Sequence, residues 1–416
     1  MSSALGAQLG ASDVLDAVYA RALQPYDGPI EPSLLLAEAE AATGHADWGG
    51  ERWAEAGFRR RLDALCRSLE TESNLTALGR SRAHARVHAM LVSRLRIIAY
   101  RKAWTAEPQI VAPLVGTGLP RSGTSFLQAL LAQDPDSLVP ITGHGMVPIP
   151  PPGVLADEAE RMDLVARMLT FQGLDAPEVN AIHPFAPDAE DEDVLFQEAA
   201  CGSLYQGFFN VPGFTAELGT SAAEMYDWQK GLMQIIQGER PGKRWVLKAP
   251  EYIGNLATLY RTYPDAQVFV NHRDPAKVAA SIASLYVTFQ SLNSPGAIDP
   301  KRLGPGALVG QMAAVEAMTA WRAAHPDVAI IDVHYKTLVA DPIGEAERVY
   351  AAFGLMLTAK AKARMEAFLR VNRHGQSQGG VKHHYTLEDF GLTEAAVEEI
   401  CGRYLDQYGV ARERNA

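Results

Sequence analysis

Apolar residues recur at helical spacing through the first hundred positions. In "SDVLDAVYARAL" and "GFRRRLDALCRSLETE" they fall three and four apart, the period of a helix with one buried face. Residues 80–104 continue the pattern with many arginines. A helical N-terminal region over 1–107, packed on the remainder as scaffold, is expected, and nothing in it resembles a catalytic motif. The period changes at Pro108. "QIVAPLVGTG" (109–118) is a short β-branched run ending in glycine, which predicts a strand, and "TSFLQALLAQ" (124–133) predicts a helix. Three similar pairs follow. Strands are predicted at "RWVLKAP" (244–250), "AQVFVNHRDP" (266–275) and "VAIIDVHY" (328–335), with helices at "YIGNLATLYRTY", "AKVAASIASLYVTF" and "IGEAERVYAAFG". Continuous apolar strands alternating with helices imply an α/β domain over 108–416, its parallel sheet covered on both faces. Such sheets bind ligands beyond the carboxyl ends of their strands.

Two stretches break the pattern. "VPITGHGMVPIPPPG" (139–153) is a proline-rich loop too rigid for helix. "HPFAPDAEDEDVLFQE" (183–198) is acidic and reads as a solvated face. The composition, 47% hydrophobic and 21% charged over 416 residues, is that of an ordinary globular chain. The most apolar helical stretch, "HAMLVSRLRIIAY", is interrupted by Arg94 and Arg96, so no run reaches the roughly 18 residues of a membrane span. No basic segment precedes an apolar core at the N-terminus, so no signal peptide is expected. Cys66, Cys201 and Cys401 lie far apart, which argues against a disulfide framework or zinc site and fits a reducing cytoplasm. A net charge of -11 argues against a protein that coats nucleic acid.

A local cluster can still hold a small anion. "GLPRSGTSFLQALL" (118–131) has the glycine spacing of an ATP-type phosphate loop in Gly118 and Gly123, but Thr124 stands in the lysine position and Arg121 is its cation. A glycine loop opening a helix aims backbone N–H groups at an anion, and the helix dipole adds to the attraction. Ser122, Thr124 and Ser125 add hydroxyls, and Arg121 adds a fork that fits phosphate oxygens. A nucleoside triphosphate site needs a Mg²⁺ carboxylate at the end of a second strand. "RWVLK" ends instead in Lys248. Farther on, "HRDPAKVAASIAS" (272–284) places Arg273 at a strand end and Ser281 two helical turns later, an arrangement that can clasp a second phosphate.

Together the two motifs resemble the sulfotransferase family, whose members use 3′-phosphoadenosine 5′-phosphosulfate (PAPS). The family's first motif, P-[KR]-S-G-T-[ST]-[FW]-L, is matched by Pro120–Leu127, and its second, R-[DN]-P-x-x-V-x-x-S, by Arg273–Ser281. The likeness is closest to a bacterial branch with GLPRSGT[ST]FL and WVLK[SA]PE, and it extends from about residue 45 to 410. It implies a P-loop-like sheet, transfer of a sulfuryl group from PAPS with 3′,5′-ADP as product, and no metal. By matching position, Arg121, Ser122, Gly123, Thr124, Ser125 and Phe126 meet the 5′ side of the donor, and Arg273 and Ser281 the 3′-phosphate. Tyr335 resembles a tyrosine near the nucleotide, and Lys248 a lysine near the transferred group. Lys382 and His383, after Gly379-Gly380, are either a flap over the nucleotide or an ordinary surface loop.

The chain departs from the branch in one place: Gly143-His144 occupies the position of a Trp-Glu pair. His144 is therefore the first candidate for the general base, because it titrates near neutrality between two glycines that admit a ligand. His183 or a carboxylate of 188–193 are the other candidates. The acceptor is a hydroxyl or amine of a small molecule, lipid or glycan. Its pocket is drawn from loops 139–153, 175–215 and 285–305, with Tyr205, Phe208, Phe209, Phe214 and Trp228 as apolar candidates. A homodimer is compatible with this reading, and no membrane or nucleic-acid partner is expected. Two rivals remain, a P-loop kinase or NTPase and a non-catalytic nucleotide-binding scaffold.

Overall fold

The computed structural model describes residues 12–154, 158–202, 205–219, 221–238, 243–296, 298–372 and 386–413. Its centre is a five-stranded, all-parallel sheet flanked by helices. The strands are β1 (Leu114–Gly118), β2 (Ser137–Leu138), β3 (Arg244–Lys248), β4 (Gln267–His272) and β5 (Ile330–His334), in the order β2-β3-β1-β4-β5. Side chains alternate across a strand. Leu114, Val246, Phe269 and Val333 face one apolar cluster, closed by the helices Thr124–Leu131 and Pro342–Ala352. Val115, Leu247, Val268 and Val270 face a larger one, closed by the helices Ala222–Gln237, Pro300–Ala324 and Glu394–Gln407. Burial on both faces is the reason the strands read as continuous apolar runs.

The register decides where the chemistry can lie. Gly116 pairs with Lys248, Gly118 with Asn271, and His272 with His334. The ends of β1, β3, β4 and β5 are therefore level, and residues 119–124, Lys248, Arg273 and Tyr335 emerge at one edge of the sheet.

The structure departs from the sequence expectations in several places. β1 begins at Leu114 rather than 109, because Pro113 has no N–H to donate and Ala112 takes a φ of 42°. After β3 a single 3-10 turn, Pro250–Gly254, precedes the expected helix, which runs over Leu256–Thr262. β2 was not expected, since two edge residues carry no periodicity. The proline-rich loop holds a short helix, Thr142–Met146. The acidic run is not a solvated face: Asp193–Ala200 forms a buried 3-10 helix, and Asp193 is fully buried.

The N-terminal helices Ser12–Tyr19, Pro32–Thr43, Glu55–Thr71 and Ala77–Ala103 share a third apolar cluster with Val147, Leu164 and Tyr205–Phe214. Their arginines act as staples. Arg94 is buried, donates to the carbonyls of Trp48, Trp53 and Ala199, and lies 3.9 Å above the Phe58 ring. Burial lowers its pKa to about 9. Among the described residues no helix is long and apolar enough to cross a membrane.

Candidate active site

The loop between β1 and the helix Thr124–Leu131 folds as its residue types dictate. Gly118 has a φ of 142°, and a Cβ there would stand 2.3 Å from the Asn271 carbonyl oxygen. Gly123 has a φ of 90°, and a Cβ there would press on the Tyr335 ring at 3.1 Å. Both positions therefore need glycine. Arg121 also takes a left-handed conformation, at φ 65°, which costs a non-glycine residue about 1–2 kcal/mol. That turn gives both ends of the residue a role. Its guanidinium donates from Nε to Ser281 Oγ at 3.2 Å, and its carbonyl accepts from Arg273 Nη1 at 3.0 Å. The two sequence motifs, about 150 residues apart, are thus bonded to each other. Asp274 caps the helix Pro275–Ser291 by accepting from the Ala276 N–H at 2.9 Å, which fixes Ser281 two turns along it.

Arg273 lies 3.7 Å above the ring of Tyr335, and its fork meets both oxygens of Glu413 at 3.0 and 3.2 Å. The Glu413 N–H donates to Asp274 Oδ2 at 2.5 Å. A carboxylate from the far end of the chain therefore occupies the fork that the second motif offers to an anion. The sequence held no signal for this contact.

These residues open onto a cavity of about 1190 Å³. Arg121, Gly123, Thr124, Ser125 and Phe126 line it with Arg273, Ser281 and Tyr335. Ser122 does not: it is buried, its N–H donates to the Leu119 carbonyl at 3.2 Å, and its hydroxyl has no partner. Lys248 lies in the wall behind the cavity, and its ammonium meets Glu192 Oε1 at 2.7 Å rather than Glu251. Glu192 does line the cavity, so Lys248 is linked to the wall through that carboxylate. Lys382 and His383 lie outside the described residues, as do His374 and His384.

His144 is not on the cavity wall. Its Nε2 lies 3.7 Å from Glu158 Oε2. Burial favours the protonated form of Glu158, but His144 and Arg161 outweigh it and hold that carboxyl below its ordinary value. The flanking glycines serve packing: a Cβ at Gly143 would strike Met162 and the Pro187 carbonyl, and one at Gly145 would strike Leu195.

His183 and Glu192 stand on the wall instead. Their segment is tied to the helix that follows the glycine loop and to the helix Thr142–Met146. Gln128 donates to the Asp191 carbonyl at 3.0 Å and Thr142 to Asp191 Oδ2 at 2.9 Å. Asp193 anchors its end, accepting from the Lys248 N–H at 2.7 Å, from Gln229 at 2.5 Å and from the Tyr252 hydroxyl. Burial pushes the Asp193 carboxyl up to about 6 against these donors. His183 follows the helix Pro177–Ile182, its N–H bonded to the Val179 carbonyl and its ring 4.6 Å from that of Phe185. Its Nδ1 is buried with no hydrogen-bond partner. Burial lowers its pKa below the ordinary histidine value; the Asp191 and Glu192 carboxylates oppose the shift, and Lys248 and Arg121 reinforce it. Tyr286, also on the wall, is pushed up to about 12 by burial and by Glu251 and Glu192, so its phenol stays neutral. Of the aromatics expected from sequence, Phe208 lines the cavity, whereas Tyr205, Phe209, Phe214 and Trp228 are core. Arg86 reaches the wall from the N-terminal helix, a contribution that region was not expected to make.

Comparison with known proteins places this geometry among relatives. The chain matches the model of the sulfotransferase family over residues 113–359, more than half its length. Among solved structures it resembles the sulfotransferase STF1 from Mycobacterium tuberculosis H37Rv, with 27% identity, a TM-score of 0.75, and coverage of 90% of this chain and 98% of that one. It also shares the fold of STF9 from Mycobacterium avium, with 24% identity, a TM-score of 0.78, and coverage of 94% and 100%. No curated protein matches the chain.

Proposed function

Because the chain belongs to the sulfotransferase family, we propose that it transfers a sulfuryl group from PAPS to an acceptor hydroxyl held in the same cavity. The observation that carries this reading is the union of the two anion motifs. Arg121 bonds to Ser281 and Arg273 bonds to Arg121, so one phosphate at the loop and another at Arg273 lie on one ligand's length of wall. A donor with a 5′-phosphosulfate and a 3′-phosphate fits that pair of subsites.

The transfer proceeds by in-line attack. The acceptor oxygen forms a bond to sulfur, the bond from sulfur to the bridging oxygen breaks, and 3′,5′-ADP departs. Charge that grows on the bridging oxygen is met by Arg121 and by the first-turn N–H groups of the helix Thr124–Leu131, which have no partner within the helix. The acceptor proton goes to His183. Its lowered pKa keeps the imidazole neutral near pH 7, and the residue lines the cavity wall. The base is thus assigned to the second histidine suggested by sequence, since His144 is turned toward Glu158. Lys248 holds Glu192 in place beside it. No group of three or more metal-binding side chains occurs among the described residues.

Thermal unfolding in the presence of EDTA tests the donor. A ligand at about 100 times its Kd stabilises by about 2.7 kcal/mol, so 3′,5′-ADP raises Tm by a few degrees while ATP does not. Stabilisation by ATP that requires Mg²⁺ would place the chain with the kinases instead.

A further inference from the structure

Beyond the nucleotide motifs the cavity changes character. Its far wall carries Leu169, Leu174, Ile182, Phe185, Phe208 and Phe289. The three phenylalanines form a connected face: Phe208 stacks on Phe289 with centroids 5.1 Å apart, and Phe185 tilts against Phe289 at 5.8 Å. The face is braced by Arg86. The Arg86 guanidinium lies 4.1 Å over the Phe208 ring, and its Nε donates to Glu198 at 2.6 Å, so its charge is already balanced by a carboxylate. Asn180, on the same wall, donates its amide to the Asp175 carbonyl at 2.8 Å. Polar side chains that border this wall include those of His183, Gln206 and Tyr286.

From this we infer that the acceptor is a hydroxyl on an apolar, ring-bearing body, with the hydroxyl at His183 and its rings on the Phe185–Phe208–Phe289 face. The inference rests on the sulfuryl-transfer reading and names the substrate class of that site. A polyhydroxylated sugar laid on that face would bury hydroxyls against phenylalanine and aliphatic side chains that offer no hydrogen-bond partner, and each one so buried costs binding. An anionic body finds no uncompensated cation among the described residues of this wall, because Arg86 is paired with Glu198. Flat apolar rings match the stacked phenylalanines in shape and lose nothing on leaving water. The reaction is balanced by the donor: the acceptor O–H proton passes to His183, the oxygen takes the sulfuryl group, and 3′,5′-ADP leaves.

The test is calorimetric binding of 2-naphthol and of glucose, each with and without saturating 3′,5′-ADP, followed by mass-spectrometric assay of both as acceptors with PAPS. The expected result is that 2-naphthol binds and is sulfated while glucose does neither. Phe208→Leu and Phe289→Leu, which keep the core filled, raise the KM for 2-naphthol roughly tenfold while the Kd for 3′,5′-ADP stays within about twofold. Sulfation of glucose in preference to 2-naphthol overturns the inference. So does unchanged 2-naphthol binding in both variants, or 2-naphthol failing to bind a protein that binds 3′,5′-ADP. Failure of 3′,5′-ADP to bind, with 2-naphthol binding intact, instead sinks the donor reading and leaves the apolar site standing.

Discussion

At one end the cavity wall is Arg121, Thr124, Ser125, Arg273 and Ser281; at the other it is Phe185, Phe208 and Phe289 with their aliphatic neighbours. The first end comes from two short segments, each a strand end followed by the start of a helix. Its polar groups are backbone amides, hydroxyls and guanidinium forks. The second is assembled from the segment after a short helix, a four-residue helix and the last turn of a long helix, with support from the N-terminal region. Under the proposed function, the contrast follows from what each end would recognise. A phosphate is small, charged and met by directional donors, which one turn of chain can supply. An apolar body is recognised by area, which has to be gathered from whatever segments the fold brings near.

The sharpest way to break this comparison is at the seam between the ends, where His183 stands. His183→Ala is expected to lower kcat by about 10²–10⁴ while the Kd for 3′,5′-ADP changes by no more than a few-fold. His144→Ala, measured beside it, should leave kcat close to that of the parent. The wild-type profile of kcat/KM against pH should lose activity as pH falls, with the midpoint below 6.5, because burial depresses the His183 pKa and only the neutral ring accepts a proton. A midpoint above 6.5, or an acid limb that survives His183→Ala, assigns the base elsewhere.

Arg273 isolates the nucleotide end. A charge-assisted phosphate contact is worth about 1.5–3 kcal/mol, so Arg273→Ala should weaken 3′,5′-ADP roughly 10- to 100-fold. Binding of 5′-AMP, which lacks the 3′-phosphate, should barely move. Equal losses for both ligands would show that Arg273 shapes the loop through its bond to the Arg121 carbonyl rather than holding a phosphate.

The smallest expected effect runs in the opposite direction. Glu413 occupies the Arg273 fork, so a 3′-phosphate has to displace it. Glu413→Ala should tighten 3′,5′-ADP by about two- to fivefold, in keeping with the modest worth of a partly exposed ion pair. 5′-AMP should be unaffected. Weaker 3′,5′-ADP binding in this variant would mean that Glu413 orients Arg273 instead of competing for it. Titration calorimetry at one ionic strength reads both ligands.

Much of the nucleotide end is legible in the amino-acid sequence. Gly118 and Gly123 announce backbone that no other residue adopts, and the helix after them announces its dipole. The spacing of Arg273 to Ser281 is two turns of one helix, so sequence distance converts directly to geometry. The sheet is legible for a related reason: strands buried on both faces are apolar throughout, and the structure differs only at their ends, where Pro113 or Pro250 has no N–H to donate. The two-residue strand β2 carries no signal, being too short to show a period.

Other features were decided by the tertiary structure alone. His144 has every local mark of a ligand-facing histidine, yet its glycines are required by Met162, Pro187 and Leu195, contacts that no local pattern encodes. The acidic run looked solvated because charge favours water. Asp193 is nevertheless buried, because the Lys248 N–H, Gln229 and Tyr252 converge on it from three other elements. Lys248 found Glu192 rather than its near neighbour Glu251, and Arg273 found Glu413 from 140 residues away. By itself the sequence determined the glycine loop proposed to hold the anion and the sheet beneath it, because both are built from backbone conformations that a few adjacent residues dictate. Which ionisable groups face the ligand, and what kind of surface lies opposite the phosphates, depends on packing between segments distant in the chain, and only the folded structure decides it.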